Sequence, residues 1–262
     1  MKRDVVLITG ASRGIGAETA KLFASHNYDV VIGYCNGEDF AKKIEKEIKE
    51  KYNVETMVVK VDISSEESVK NMIDEVIHRF SHIDVLINNA GIAIDTLYSD
   101  KTVENFRKTL DVNLIGTFLV SKYVGNYMYE NKKGSIVNLT STNGIHQYFP
   151  MSLDYDASKA ALISLTHNLS IQYAPYIRVN AVAPGWVATE NEMKELDKDY
   201  IELEEQNIFI HRFAEPLEVA KVIYFLASDD ASYINNEVIT VDGGTRHAWY
   251  YTKKWNRGSG CI

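Results

Sequence analysis

Cysteine is nearly missing from this chain. Cys35 and Cys261 are two among 262 residues; they lie far apart and form no metal-ligand spacing, so neither a disulfide scaffold nor a structural zinc site is expected, and a reducing compartment suits the chain. Positive charge is also short. Lys and Arg number 28 against 36 Asp and Glu, a net charge of −8, and the clustered cations that grip phosphate backbones are absent, so nucleic acid is not an expected partner. No apolar run approaches the roughly 18 residues of a membrane span, and a first strand near Asp4 leaves no room for a signal peptide. No membrane partner and a cytoplasmic location are therefore expected. Internal repeats and low-complexity linkers are lacking too, so one domain of ordinary size is expected from residue 1 to about 244, followed by a tail over 245–262.

What is present alternates. Short apolar runs at Val5-Val6-Leu7-Ile8, Val30-Val31-Ile32, Met57-Val58-Val59, Val85-Leu86-Ile87, 135–139, 177–182 and 237–241 read as strands. Amphipathic patterns at about 14–26, 37–51, 66–80, 103–131, 154–174 and 216–228 read as helices, with Ser64 or Ser65 able to cap the third. Continuous apolar strands separated by helices predict an α/β fold with a parallel sheet covered on both faces.

The first strand-to-helix turn reads Thr9-Gly10-Ala11-Ser12-Arg13-Gly14-Ile15-Gly16. Glycines there let the backbone turn tightly and approach a pyrophosphate, whose charge the next helix's N-terminus stabilises. The second strand ends in Tyr34, then Cys35 and Asn36, with no carboxylate to hold a ribose 2′-hydroxyl or repel a 2′-phosphate. Arg13 is placed to meet that phosphate, so NADP(H) is favoured over NAD(H). Asn88-Asn89-Ala90-Gly91 ends the fourth strand and lets a ribose approach; alone it could be an ordinary turn. Asp62, after Val61 and before Ile63, could accept from an adenine amino group or cap a helix.

A second stretch, from Gly134 to Lys159, runs strand, polar loop and helix. Tyr155 and Lys159 stand four apart, on one helix face. A nearby ammonium favours phenolate, so Lys159 is expected to lower the Tyr155 phenol from its reference of about 10 and make it a usable acid or base. Ser141, after the strand, could donate to a substrate carbonyl. An isolated Tyr and Lys at this spacing could equally be surface residues; the company they keep decides otherwise.

With Asn113 in the long helix, Pro184-Gly185 and Thr189 added, the chain resembles the short-chain dehydrogenase/reductases from residue 4 to about 244, through the 3-oxoacyl-[acyl-carrier-protein] reductase branch. The resemblance implies a Rossmann-type doubly wound sheet of about seven strands in the order 3-2-1-4-5-6-7. It implies an oxidoreductase in which Tyr155 is the acid/base, Lys159 binds the nicotinamide ribose and tunes it, Ser141 orients the carbonyl and Asn113 holds a water in a proton relay. Gly10, Ser12, Arg13, Gly14, Ile15 and Gly16 would surround the cofactor's phosphates and adenosine, Asp62, Asn89 and Gly91 its adenine and ribose, and Val187 and Thr189 its carboxamide. Tyr34, Asn36, Ile63, Ala90, Pro184 and Gly185 complete the expected cofactor contacts.

The substrate is expected to be a small carbonyl or alcohol, lined by Ser141, Asn143, Gln147, Tyr148 and Trp186 under a lid at about 190–212. Tyr173-Ala174-Pro175-Tyr176 lacks the arginine that carrier-protein reductases place there, although Lys132 and Lys133 lie on a nearby loop. A sugar would use Asn143, His146, Gln147 and Glu190; a steroid-like ketone would use Tyr148, Phe149, Met151 and Trp186. A non-catalytic nucleotide sensor or scaffold is the alternative of another class, though it need not keep four separated chemical groups. The resemblance further implies a homotetramer paired through 103–131 and 154–174, and the aromatic tail is expected to pack on a neighbouring subunit.

Overall fold

A computed structural model describes residues 2–245; the expectation for the aromatic tail falls outside the described residues. Strands β1 (Val5–Ile8), β2 (Asp29–Tyr34), β3 (Thr56–Lys60), β4 (Val85–Asn88), β5 (Gly134–Leu139), β6 (Ile177–Pro184) and β7 (Val238–Val241) form one sheet in the order β3-β2-β1-β4-β5-β6-β7. Every pairing is parallel. This is the doubly wound order that the resemblance implied.

Two layers of helix explain why most strand positions are apolar. Side chains alternate across a strand, so Val6 and Ile8 of β1 join one core and Val5 and Leu7 the other. The first core takes Ala20 and Phe23 from α1 (Gly14–Ser25), Ile44 and Ile48 from α2 (Glu38–Lys51), and Ile223 and Leu226 from α9 (Pro216–Ala227). The second takes Met72 and Val76 from α3 (Glu66–Phe80), Val120 and Val124 from α5 (Thr117–Glu130), and Leu169 from α6 (Leu153–Tyr173). Ser65 caps α3, its hydroxyl accepting from Ser68 N at 3.3 Å.

The expected helix over 103–131 is not continuous. It divides into α4 (Val103–Leu110), a π-helical turn at Asp111–Gly116, and α5. The widened turn lets Gly116 lie where a Cβ would come within 2.7 Å of Ile63 Cγ1, and it carries the fully buried Asn113 toward the sheet. Single π turns inside helices are frequent at functional sites. The segment at 190–212, expected as a lid, forms two short helices, α7 (Glu192–Glu195) and α8 (Lys198–Gln206). Its base is closed by Ala188 N donating to Ala214 O at 2.8 Å and Ala214 N to Trp186 O at 3.0 Å.

The segment between β4 and α4 is tied to α6 by a buried ion pair. Lys101 Nζ lies 2.8 Å from Asp154 Oδ1, with side chains 4% and 0% exposed, and Thr109 Oγ1 donates to Asp154 Oδ2 at 2.8 Å. Lys101 also donates to the Ile94 carbonyl. Burial acts to raise the Asp154 carboxyl, but the Lys101 ammonium and the Thr109 hydroxyl together hold it below its ordinary value. Removing one partner of such a pair strands the other's charge. Lys101→Met is therefore expected to cost about 3 to 5 kcal/mol in denaturant unfolding, while the double change Lys101→Met with Asp154→Leu recovers most of that loss.

Candidate active site

The carboxyl ends of β1, β2, β4, β5 and β6 open onto one cleft. At the end of β1 the chain turns through Gly10 and Gly14, both at positive φ (65° and 58°), where a side chain is strained. A Cβ on Gly10 would also stand 2.8 Å from Ala90 Cα. Asn89 clasps this turn: its Nδ2 donates to the Thr9 and Gly10 carbonyls at 3.0 and 2.9 Å, and its own N–H donates to Thr9 Oγ1 at 3.1 Å. Asn89 thus braces the loop, and Gly16 leaves room for its amide, since a Cβ there would come within 2.5 Å of Nδ2. No side chain caps α1, so its first N–H groups are left for an anion. Ser12 is buried, and Ile15 packs against the first core.

At the end of β2, the Arg13 guanidinium stacks 4.5 Å above the Phe40 ring, beside Gly37. Tyr34 is buried and its phenol is bonded to Glu38, whereas Asn36 is exposed. Asp62, exposed at the end of β3, accepts on Oδ1 from both Ser64 N and Ser64 Oγ, at 3.0 and 2.6 Å; Ile63 beside it is core. Across the cleft, Thr189 Cγ2 lies 3.4 Å from a Cβ built on Gly14, so the glycine turn and the segment after β6 face each other. In that segment Thr142 Oγ1 donates to the Pro184 carbonyl at 3.3 Å, Gly185 N donates to Val241 O at 3.0 Å, and Val187 is buried. A glycine turn, an uncapped helix start and a facing Thr189 are residues that fit an extended dinucleotide.

Ser141, Tyr155, Lys159 and Asn113 meet at the middle of the cleft. Lys159, buried in α6, donates to the Leu139 carbonyl at 2.8 Å, and its Nζ lies 5.3 Å from the Tyr155 ring centre. The Ser141 hydroxyl stands close enough to the Tyr155 phenol to favour its ionised form. Asn113 Oδ1 accepts from Ile92 N at 2.8 Å, and its Nδ2 donates to Ile92 O at 2.9 Å and to Ser158 Oγ at 3.0 Å. Its side chain, engaged at both ends, clamps the turn after β4 onto α6. A Cβ placed on Gly91 would lie 3.3 Å from Asn113 Oδ1 and 3.5 Å from Lys159 Nζ.

One expectation is reversed in the protein alone. Burial pushes the Tyr155 phenol up to about 12; the Ser141 hydroxyl opposes this, and Glu192, Asp156 and Asp95 reinforce it. Burial also pushes Lys159 down to about 8. Desolvation outweighs the ammonium's pull, because both groups leave water together.

The expected substrate residues divide. Ser141 sits beside Tyr155, but Asn143 Nδ2 donates to Asp156 of α6 at 2.7 Å and Gln147 Oε1 accepts from the Thr142 hydroxyl, so both polar heads are engaged within the protein. Trp186 stacks on Phe213 at 5.3 Å and donates to Glu204 Oε2 at 3.0 Å; Tyr148 is 78% exposed. Asp95, Asp156 and Glu192, whose charges act on Tyr155, were missed, and Asp95 and Glu192 are brought near it only by the folded chain.

Comparison with known proteins agrees with this geometry. The family model described as Enoyl-(Acyl carrier protein) reductase matches residues 10–246. The chain is 39% identical over 245 residues to the 3-oxoacyl-[acyl-carrier-protein] reductase FabG of Aquifex aeolicus, covering 93% of this chain and 98% of that one. It is 32% identical to glucose 1-dehydrogenase 2 of Bacillus subtilis, covering 91% and 93%. Among solved structures, ElxO with NADP bound superposes with a TM-score of 0.86 at 33% identity, covering 93% of this chain and 98% of that one. The chain belongs to the short-chain dehydrogenase/reductase family and is an oxidoreductase that uses a nicotinamide cofactor on a small-molecule substrate, which sets aside the scaffold alternative. Among the described residues no helix is long and apolar enough to cross a membrane.

The Lys159 shift has a sign that can be checked. Below about pH 8 the fold carries the cost of a buried ammonium, and that cost fades as pH rises from about 8 toward the ordinary 10.5, where the unfolded chain still holds its proton. Lys159→Met removes the cost. The melting temperature of Lys159→Met relative to the parent protein should therefore be highest near neutrality and fall as pH rises through that window.

Proposed function

We propose that the protein interconverts a ketone of the 3-oxoacyl type and its secondary alcohol with NADP(H), with Tyr155 as acid/base. The observation that carries this reading is the meeting of Ser141 and Tyr155 beside the buried Lys159, whose Nζ lies 5.3 Å from the Tyr155 ring centre and donates to the end of β5. The nicotinamide, when bound, supplies or takes up the hydride. The chain's own residues do the rest. Ser141 and Tyr155 present two hydroxyls to the carbonyl oxygen, a high phenol pKa keeps Tyr155 protonated and able to donate, and the Lys159 ammonium steadies the phenolate left behind. The glycine turn of residues 10–16 would hold the phosphates, and the segment at 184–189 the carboxamide.

Several observations support the finer choices. Arg13 over Phe40, with no carboxylate ending β2, suits a 2′-phosphate. A sugar is less well served, because Asn143, Gln147 and Glu190 are bonded to Asp156, Thr142 and Lys194. Lys133, a cation near a possible carrier surface, is paired with Asp4 and Asp84 at 2.7 and 2.9 Å, so a free acyl thioester is better matched than a large acidic carrier. We also propose a homotetramer. In the helical stretches 103–131 and 154–174, Leu119, Leu162 and Leu169 are buried within the subunit, but Ile115, Phe118, Tyr129 and the 71%-exposed Ile171 remain uncovered. A single concentration-independent monomer in sedimentation would refute that assembly.

Two substitutions test the chemistry. Tyr155→Phe keeps the ring and removes the transferable proton, so kcat for a 3-oxoacyl thioester should fall about a hundred- to ten-thousandfold while NADPH affinity, read by fluorescence, is retained; activity above a tenth of the parent's would remove Tyr155 from the mechanism. Arg13→Ala should weaken NADPH by roughly ten- to a hundredfold, the scale of a charge-assisted hydrogen bond, and leave NADH nearly unchanged. Equal losses for both cofactors would give Arg13 another task.

A further inference from the structure

Asp156 follows Tyr155 in α6 but turns inward and is buried. Both of its carboxylate oxygens are occupied: Oδ1 accepts from Asn143 Nδ2 at 2.7 Å, and Oδ2 from Phe149 N at 3.0 Å. A carboxylate of this kind only accepts, so it dictates which end of the Asn143 amide faces it. The other end, Oδ1, faces Ser141 Oγ at 3.4 Å, and the Asn143 main-chain N–H donates to the same Oγ at 3.2 Å. An amide oxygen cannot donate. The Ser141 proton therefore points at Asn143, while the Ser141 oxygen accepts from the Asn143 N–H.

We propose that Asp156, acting through Asn143, is a positioning residue for the Ser141 hydroxyl, fixing both the place of its oxygen and the direction of its proton before a carbonyl arrives. The inference rests on the ketone–alcohol reading above. A 3.4 Å hydrogen bond is weak, so the proton turns to a carbonyl oxygen at small cost, while the shorter contacts keep the oxygen in place. Placement errors of about 1 Å in such a group lower rates by roughly a hundredfold, which gives the tether something to protect. Asp156 has a second effect, through charge. The Tyr155 phenol faces Lys159 and Asp156 from its own helix, Asp95 from the segment after β4, and Glu192 from α7. Taking away the Asp156 charge removes one of the carboxylates that favour the protonated phenol.

The test compares Asp156→Asn, Asn143→Ala and the double variant in ketone reduction with NADPH. Each single change should lower kcat by roughly ten- to a hundredfold with NADPH affinity unchanged, and the double should be no worse than the poorer single, because one tether is cut in either place. The alkaline limb of the Asp156→Asn rate profile should also move to lower pH. An unchanged kcat, additive losses, or a loss of cofactor affinity in step with kcat overturns the proposal. If Asp156→Asn does not fold, Asn143→Leu, which keeps bulk and removes the amide, must show the same kcat loss with intact NADPH binding; parent-like kcat overturns it. A readout without turnover separates this proposal from the function it rests on. In tyrosine-labelled protein, the carbon resonance that disappears in Tyr155→Phe should titrate at lower pH in Asp156→Asn, or in Asn143→Asp at higher pH, and an unmoved titration overturns the placement. A parent protein that reduces no ketone overturns the functional reading alone.

Discussion

A parallel sheet buried on both faces can keep polar side chains only where each finds a partner, as Asn88 does in Asn138 and Asn180 in the Ile234 carbonyl, or at the ends of its strands. That constraint governs this molecule. β1 and the apolar positions of β4 and β5 fill two cores, so most groups able to do chemistry stand at the carboxyl edge, where chain direction brings five strand ends side by side. Thr9 to Gly16, Arg13 against Phe40, the turn at 88–91, Ser141 and the run at 184–189 are neighbours because the strands before them are neighbours. Hydrogen bonds then set each piece: Asn89 clasps the glycine turn, Asn113 the turn after β4, and Lys159 the end of β5.

Sequence made the framework legible for a physical reason. Strand alternation, glycine at a forced turn and a Tyr–Lys pair one helical turn apart are local patterns, and local patterns survive in the order of residues. The sheet order came from the family resemblance and matches. What escaped was non-local or depended on solvent. A π turn differs from an α turn by one hydrogen-bond register, which no residue in 111–116 announces. Asp154 and Lys101 are 53 positions apart, Asp156 and Asn143 are 13 apart, and neither pairing has a spacing rule. The direction of the Tyr155 shift was also missed, since the attraction of Lys159 is visible in sequence whereas the loss of water is not.

Substrate residues were the least legible. Polar side chains on the 141–149 loop looked available, and in the folded chain Gln147 is bonded to Thr142 and Asn143 to Asp156 of α6 and, through its main-chain N–H, to Ser141. A polar residue near a catalytic group can serve either the substrate or the scaffold. Only its partner tells which.

The buried Lys101–Asp154 pair makes the two walls of the cleft unequal. On one side, the segment 92–101 is tied to α6 by an ion pair, by Thr96 N donating to Met151 O at 3.1 Å, and by Ser152 donating to Asp95, so it moves only if the helix bearing Tyr155 moves with it. On the other, α7 and α8 bury no residue at all. The two walls are thereby held unequally: one shares the register of α6, and the other is fastened at its surface, where Trp186 bonds to Glu204 and packs edge-on against Tyr200.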